Sequence, residues 1–353
     1  MLADLLDSIS KRVPYVVINK VITAHQLPTG QGYEKLKAAL LALNDDLKQD
    51  VTDRLLEFYQ QQLLVGEKAV ALLKLDEALK EELLGALTFL EVQPSTATDK
   101  YPYYLGDDEL AEMQGSPELC GVESDDGYLH LVFTSKRYFT ERVKVPLERI
   151  KEDSEVDYSD YDEIVAVRRR YQQFFDVVSI PFGEGPIELR VDAPGIMPKA
   201  EISRSVDQTI KELWRLAKNE GVEIEDSFEK VNVFPLIEKM YSSREGRVCD
   251  LGFVTDGGGI KNAKMRRYED DLRDEAYHKA GCESAVITPF RIAVRWQKKI
   301  GDGVFSNPEL LIPGRFNQLS ASSKENQYHY VVKRCTNTDD FQFVMEKIRP
   351  HIN

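Results

Sequence analysis

Asp176, Glu188 and Arg190 carry the sharpest chemical pattern in this sequence. An aspartate on one strand of a hairpin, then Glu-x-Lys on the next, is how one large class of metal-dependent nucleases holds Mg²⁺. Two carboxylates fix the ion and a cation orients the attacking water. The segment resembles that arrangement, with Arg190 where the nucleases have lysine. Charged residues on the solvent face of an edge hairpin produce the same pattern, so the nuclease is the alternative here and not the leading expectation. Magnesium enters only with it; otherwise no cofactor and no metal site is expected.

A second constellation is Gly257, Gly258 and Gly259 followed by Lys261, Lys264, Arg266 and Arg267, four cations with no acid between them. Strand, glycines and helix start form a phosphate site, because free amides at a helix N-terminus point at the anion. Asn262 stands where G-x-G-x-x-G needs its last glycine, and G-x-x-x-x-G-K-[S/T] is absent. A flexible turn is the more economical account of the glycines. Residues 262–279 are expected to form a charged helix. On it Arg266–Asp270, Arg267–Asp271 and Glu269–Arg273 would pair at i,i+4, each for only about 0.2–0.5 kcal/mol.

Arg168, Arg169 and Arg170 precede Tyr171, Phe174 and Phe175. Arginines grip phosphates and aromatics can stack on bases, although Phe174 and Phe175 open an apolar strand and belong to a core. Asp274, Glu275 and His278 fall at i, i+1 and i+4, but no H-E-x-x-H is present and a surface helix is favoured. Cys120, Cys249, Cys282 and Cys335 are scattered, with no C-x-x-C, as in a reducing compartment.

These residues must be positioned by elements the periodicity predicts. Leu36, Leu40, Leu43 and Leu47 share a helical stripe, and Leu72, Leu75, Leu79, Leu83, Leu87 and Leu90 repeat it after Gly66. Three or four packed helices are expected up to residue 92. Their stripes serve as core or as contact with another copy or a protein partner. Residues 93–127, rich in Pro, Gly, Ser and Thr, predict a linker. Residues 128–133 and 139–145 predict a hairpin turning at Ser135-Lys136. Seven acids between Glu152 and Glu163 mark a hinge or insertion. Strands are expected at 174–180 and 187–191, a helix at 200–219 with Gly221 at its C-cap, a short helix at 228–241, strands at 248–255, 288–297 and 328–335, and a closing helix at 341–348.

The fold class implied is α+β, because strands and helices do not alternate as a doubly wound sheet requires. The expected division is a helical domain over 1–92, a linker over 93–127, and α+β domains over 128–246 and 247–353. The chain has 353 residues and a net charge of −14, with 42% hydrophobic and 30% charged residues, a globular and not a disordered composition. Its charge is uneven: residues 241–353 hold 18 Lys+Arg and 15 Asp+Glu, a net of +3, leaving −17 for 1–240. That balance argues against indiscriminate binding to nucleic acid or anionic membrane. No apolar run approaches the ~20 residues of a membrane helix, and the acidic start does not suit a signal peptide, so a cytoplasmic protein is expected. The leading expectation is a non-enzymatic binding and assembly protein with a DNA or RNA contact surface in its C-terminal part. The alternatives are the nuclease or an effector subunit, of the modular acidic kind met among prokaryotic defence accessories, and a purely structural subunit.

Overall fold

A computed structural model describes residues 1–146, 160–195, 197–267, 269–320 and 326–352. Most of the acidic run at 152–163 therefore lies outside the described residues. The fold is α+β, with eleven α-helices and a large antiparallel sheet among the described residues.

Four helices open the chain: α1 (Leu2–Arg12), α2 (Tyr15–Ala24), α3 (Tyr33–Leu41) and α4 (Asp45–Val65). The first leucine stripe does not run through one helix as expected. Asn44 caps α4 by accepting the Leu47 amide at 3.0 Å, and Asp45 and Asp46 complement the start of its dipole. Leu36 and Leu40 are buried, whereas Leu47 faces solvent. The second stripe also divides. Strand β1 (Lys68–Lys74) takes Leu72, and α5 (Glu77–Leu87) begins at Asp76, whose side chain accepts the Ala78 and Leu79 amides. The segment expected as linker holds α6 (Thr96–Lys100), α7 (Asp107–Glu112) and β2 (Glu118–Ser124).

Strands β3 (Tyr128–Val145) and β4 (Ile164–Pro181) pair over their full length, with Tyr128 opposite Pro181 and Val145 opposite Ile164. The turn expected at Ser135-Lys136 is not there: Ser135 pairs with Phe174 and Lys136 with Gln173. Residues 134–138 contain no Gly, Pro, Asn or Asp, so the strongest turn formers are missing and Ser135 alone favours a turn only weakly. The chain continues through β5 (Ile187–Asp192), α8 (Lys199–Asn219), β6 (Glu229–Lys230), α9 (Leu236–Ser242), β7 (Arg247–Thr255), β8 (Ile260–Lys264), α10 (Ala276–Ser284), β9 (Ile287–Arg295), β10 (Lys298–Gly301), β11 (Val304–Ser306), β12 (Glu309–Ile312), β13 (Tyr330–Lys333) and α11 (Thr338–Ile348).

The sheet order is β2-β3-β4-β5-β1-β13-β12-β9-β7-β8, with β6 on β1, and every pairing among the described residues is antiparallel. β1 lies between β5 and β13, so segments expected in three separate domains share one sheet. Alternation sorts its side chains into two cores. Val70, Leu72, Val132, Phe175, Val177, Tyr330 and Val332 pack with α1–α4, α9 and α11 on one face. Ala71, Leu73, Phe133, Val178, Leu189 and Val191 pack with α5 and α8 on the other. Leu36, Leu40, Leu72, Leu83 and Leu87 of the N-terminal stripes are thus buried in this chain's own cores. At the end of α8, Gly221 takes φ +85°, as a residue just past a helix end often does.

Candidate nucleic-acid interface

β4 is two strands in one. From Val165 to Tyr171 seven successive residues are exposed; from Gln173 to Pro181 nine successive residues are buried. A strand buried on neither face has left the body of the sheet. The opposing part of β3 behaves alike, with Tyr138, Arg142, Val143 and Lys144 exposed. Residues 138–145 and 164–171 therefore form a two-stranded ribbon projecting from the sheet. By sequence it carries five cations (Arg142, Lys144, Arg168, Arg169 and Arg170) and one acid, Glu141, in a chain of net charge −14.

The register assigns each cation to a face. Tyr138 lies opposite Tyr171, Thr140 opposite Arg169, Arg142 opposite Val167 and Lys144 opposite Val165. One face therefore presents Lys136, Tyr138, Tyr171, Arg169, Arg142 and Lys144, with no acid in its ladder. Arg168 and Arg170 occupy the other. The aromatic pair organises the first face. Tyr138 and Tyr171 meet edge to face at 6.4 Å. Arg169 lies 5.3 Å over the Tyr138 ring, and Lys136 lies 5.4 Å over the Tyr171 ring. Each cation–π contact holds a long flexible side chain at the surface, worth about 0.5–1 kcal/mol where exposed. The Lys136 ammonium also donates to the Ala111 carbonyl at 2.7 Å, tying the ribbon's base to the body.

At that base the sheet interior is charged. Arg137 pairs with Asp176 beneath α8, and its guanidinium lies 5.0 Å from the Phe174 ring centroid. Desolvation lowers the Arg137 pKa to about 10, with Asp192 opposing the shift. Asp192 binds both Arg12 and Lys68, the latter at 2.7 Å, and Lys68 donates to the Phe175 carbonyl at 2.6 Å. Burial works against the Asp192 carboxylate, yet Arg12 and Lys68 hold it well below the usual carboxylate range. These pairs fix β1, β4 and β5 against one another where the ribbon leaves the body.

The proposed metal set does not assemble. Val177 lies opposite Arg190 and Ser179 opposite Glu188, so Glu188 and Arg190 share a face from which Asp176 points away. Asp176 instead accepts the Asp192 amide at 3.0 Å and contacts Thr209 of α8 at 3.4 Å. Glu188 takes Arg190 Nη2 at 2.7 Å and the Tyr128 hydroxyl at 3.1 Å, and Arg190 lies 4.4 Å from the Phe341 ring centroid. All three are buried. Among the described residues no group of three or more His, Cys, Asp or Glu is placed to hold a metal.

The glycine loop is the turn of a β7–β8 hairpin, and strand β8 stands where a helix start was expected; α10 begins only at Ala276. Phe253 opposes Lys261 and Asp250 opposes Lys264. The Gly258 amide closes a turn on the Thr255 carbonyl at 2.8 Å, and Gly258 takes φ +81°. Lys264 pairs with Asp250 at 3.3 Å, and Arg266 and Arg267 are exposed beyond the strand. The expected helical pairs do not form: Arg273 binds Asp271 and the Tyr241 and Gly246 carbonyls. β8 is also seven strand intervals from β4, on the order of 30 Å at ~4.8 Å per interval. The two cationic segments therefore cannot meet on one phosphate.

His278 lies on α10, a largely exposed helix as expected, and is its one buried residue, beside Tyr241 (2.9 Å) and Cys282 (3.6 Å). The sequence did not single out Lys136, Tyr138, Arg142 or Lys144. Their alternation through 136–144 was the available signal, hidden by the turn expected at Ser135. The chain matches no family model, no curated protein and no solved structure.

Proposed function

We propose that this chain is a non-enzymatic nucleic-acid-binding protein that holds the phosphate backbone with its projecting β3/β4 ribbon. The supporting observation is the run of seven exposed residues from Val165 to Tyr171, which carries Arg168, Arg169 and Arg170 and faces Arg142 and Lys144. Clustered guanidinium groups on a paired strand suit phosphate oxygens, which accept their bidentate hydrogen bonds. An acidic protein avoids indiscriminate adhesion while one cationic projection engages the polyanion. The proposed contact surface thus moves from the C-terminal part to the ribbon, where Tyr138 supports Arg169 and Tyr171 supports Lys136. Metal-dependent cleavage has no comparable support, because Asp176 and Glu188 diverge.

Fluorescence anisotropy with labelled DNA and RNA at rising salt tests the proposal. Each phosphate neutralised on B-DNA contributes a slope of about −0.9 in log K against log salt. Arg168→Ala/Arg169→Ala/Arg170→Ala should weaken binding at least tenfold and flatten the slope by about two to three, with an unchanged melting temperature. Unaltered affinity and slope in that variant would remove the ribbon from the interface.

A further inference from the structure

We propose that the ribbon seats in the major groove of B-form duplex DNA, its Tyr138/Tyr171 face toward the groove. The inference rests on the nucleic-acid role above and adds the kind of nucleic acid and its placement. The first argument is size. A two-stranded ribbon has strands ~4.8 Å apart, and with side chains it fits a groove about 12 Å wide, which admits an α-helix or a β-ribbon. Its fully exposed length is the seven residues Val165–Tyr171, about 24 Å at ~3.4 Å per residue, or roughly seven base-pair steps. The major groove of A-form RNA is deep and narrow, closed to side chains of this reach.

The second argument is the state of the aromatic rings. Proteins that bind single strands offer open aromatic faces on which bases stack. Tyr138 and Tyr171 are 48% and 59% exposed, but Arg169 already lies over one ring and Lys136 over the other. The edge of one ring also meets the face of the other. The rings are thus props for cations more than platforms for bases. The propped Arg169 guanidinium can reach guanine O6 and N7 or the flanking phosphates.

The third argument is charge at the tip. Asp160 and Asp162 are exposed there, and Glu163 pairs with Lys144 at 2.7 Å. Entry tip-first would press these acids onto phosphates. Lying along the groove keeps them at the end of the contact and brings Arg142, Arg169 and Lys136 along its length.

The test uses the full chain and four probes: a 20-base-pair DNA duplex, the RNA duplex of the same sequence, its single DNA strand, and the DNA duplex with glucosylated hydroxymethylcytosine, whose sugars fill the major groove. Duplex DNA should bind at least tenfold tighter than the other three, and the minor-groove ligand netropsin should not displace the protein. Arg142→Ala/Arg169→Ala should cost at least tenfold on duplex DNA with folding intact by circular dichroism. Equal or tighter binding to the RNA duplex, the single strand or the glucosylated duplex overturns the major-groove placement while nucleic-acid binding stands; so does displacement by netropsin. Binding to none of the four at low salt overturns both.

Discussion

Asp176 and Glu188 stand on adjacent strands of one sheet and point to its opposite faces. Asp176 is spent on Arg137 under α8, and Glu188 on Arg190 under α11. Each is half of a buried ion pair, and removing one partner strands the other charge in a medium that solvates it poorly. Asp176→Asn and Glu188→Gln should therefore each destabilise the fold by about 3–5 kcal/mol. The check is urea denaturation with and without Mg²⁺. A midpoint raised by Mg²⁺ in the wild type and not in either variant would restore the metal site.

The charge cluster at the ribbon's base gives a pH dependence with a definite sign. Asp192 is depressed by Arg12 and Lys68 against the opposing effect of burial. A carboxylate with a folded pKa below its unfolded value stabilises fully above the unfolded value, near 4, and loses that contribution as pH falls through the folded value. Stability should thus decline steeply below about pH 4. Asp192→Asn should be less stable at pH 7 and show a flatter acid limb. A variant with an acid limb as steep as wild type would place the titration elsewhere.

What could be read in the sequence was local, and what could not was long-range. α8 was legible because Ile202, Val206, Ile210, Leu213 and Leu216 keep one helical period and are all buried. The β4–β5 region was legible because Ile187, Leu189 and Val191 alternate with charges. That alternation misled over chemistry, since Glu188, Arg190 and Asp192 are as buried as their neighbours. A strand central to a sheet buries both faces, and charge reads as solvent exposure only when pairing partners are known. β1 was missed because Leu72, Leu75 and Leu79 keep a helical spacing across the boundary at Asp76. The ribbon was missed because no local residue says that a strand of eighteen residues outgrows its sheet.

His329 supplies a second titration at milder acidity. Burial, with Lys199 adding to it, pushes its pKa down to about 4. The unfolded value is near 6.5, so between these limits the unfolded chain binds a proton that the native state refuses. Stability should be complete above about pH 6.5 and fall as pH drops toward 4, by about 3 kcal/mol at most. His329→Leu should lose this component, so its urea midpoint should change less than the wild type's between pH 7 and 4.5. Equal changes in both proteins would mean that His329 does not carry the effect.

Thiol reactivity should single out one cysteine. Cys120, Cys249 and Cys335 are buried, and burial pushes each thiol up, Cys249 to about 12. Cys282 is exposed, 3.6 Å from His278 Nε2. Thiolate, not thiol, attacks alkylating agents. Iodoacetamide on native protein at pH 7.5 should label Cys282 at least tenfold faster than the other three, as read by peptide mass spectrometry. Comparable labelling at any buried cysteine would contradict the packing around it.

The glycine turn should respond as backbone and not as an anion site. Gly258 holds φ +81° with open space around its missing side chain, so a methyl group there meets strain and no clash. Gly258→Ala should cost about 1 kcal/mol of stability. Gly257, at an ordinary φ, should tolerate alanine with little loss. Lys261→Ala/Lys264→Ala/Arg266→Ala/Arg267→Ala removes four cations from the far edge of the sheet, seven strand intervals from the ribbon strand β4. If the ribbon holds the nucleic acid, this variant should keep wild-type affinity and salt slope in the anisotropy experiment, while the ribbon variant loses both. A loss in the edge variant comparable to that in the ribbon variant would extend the contact across the sheet.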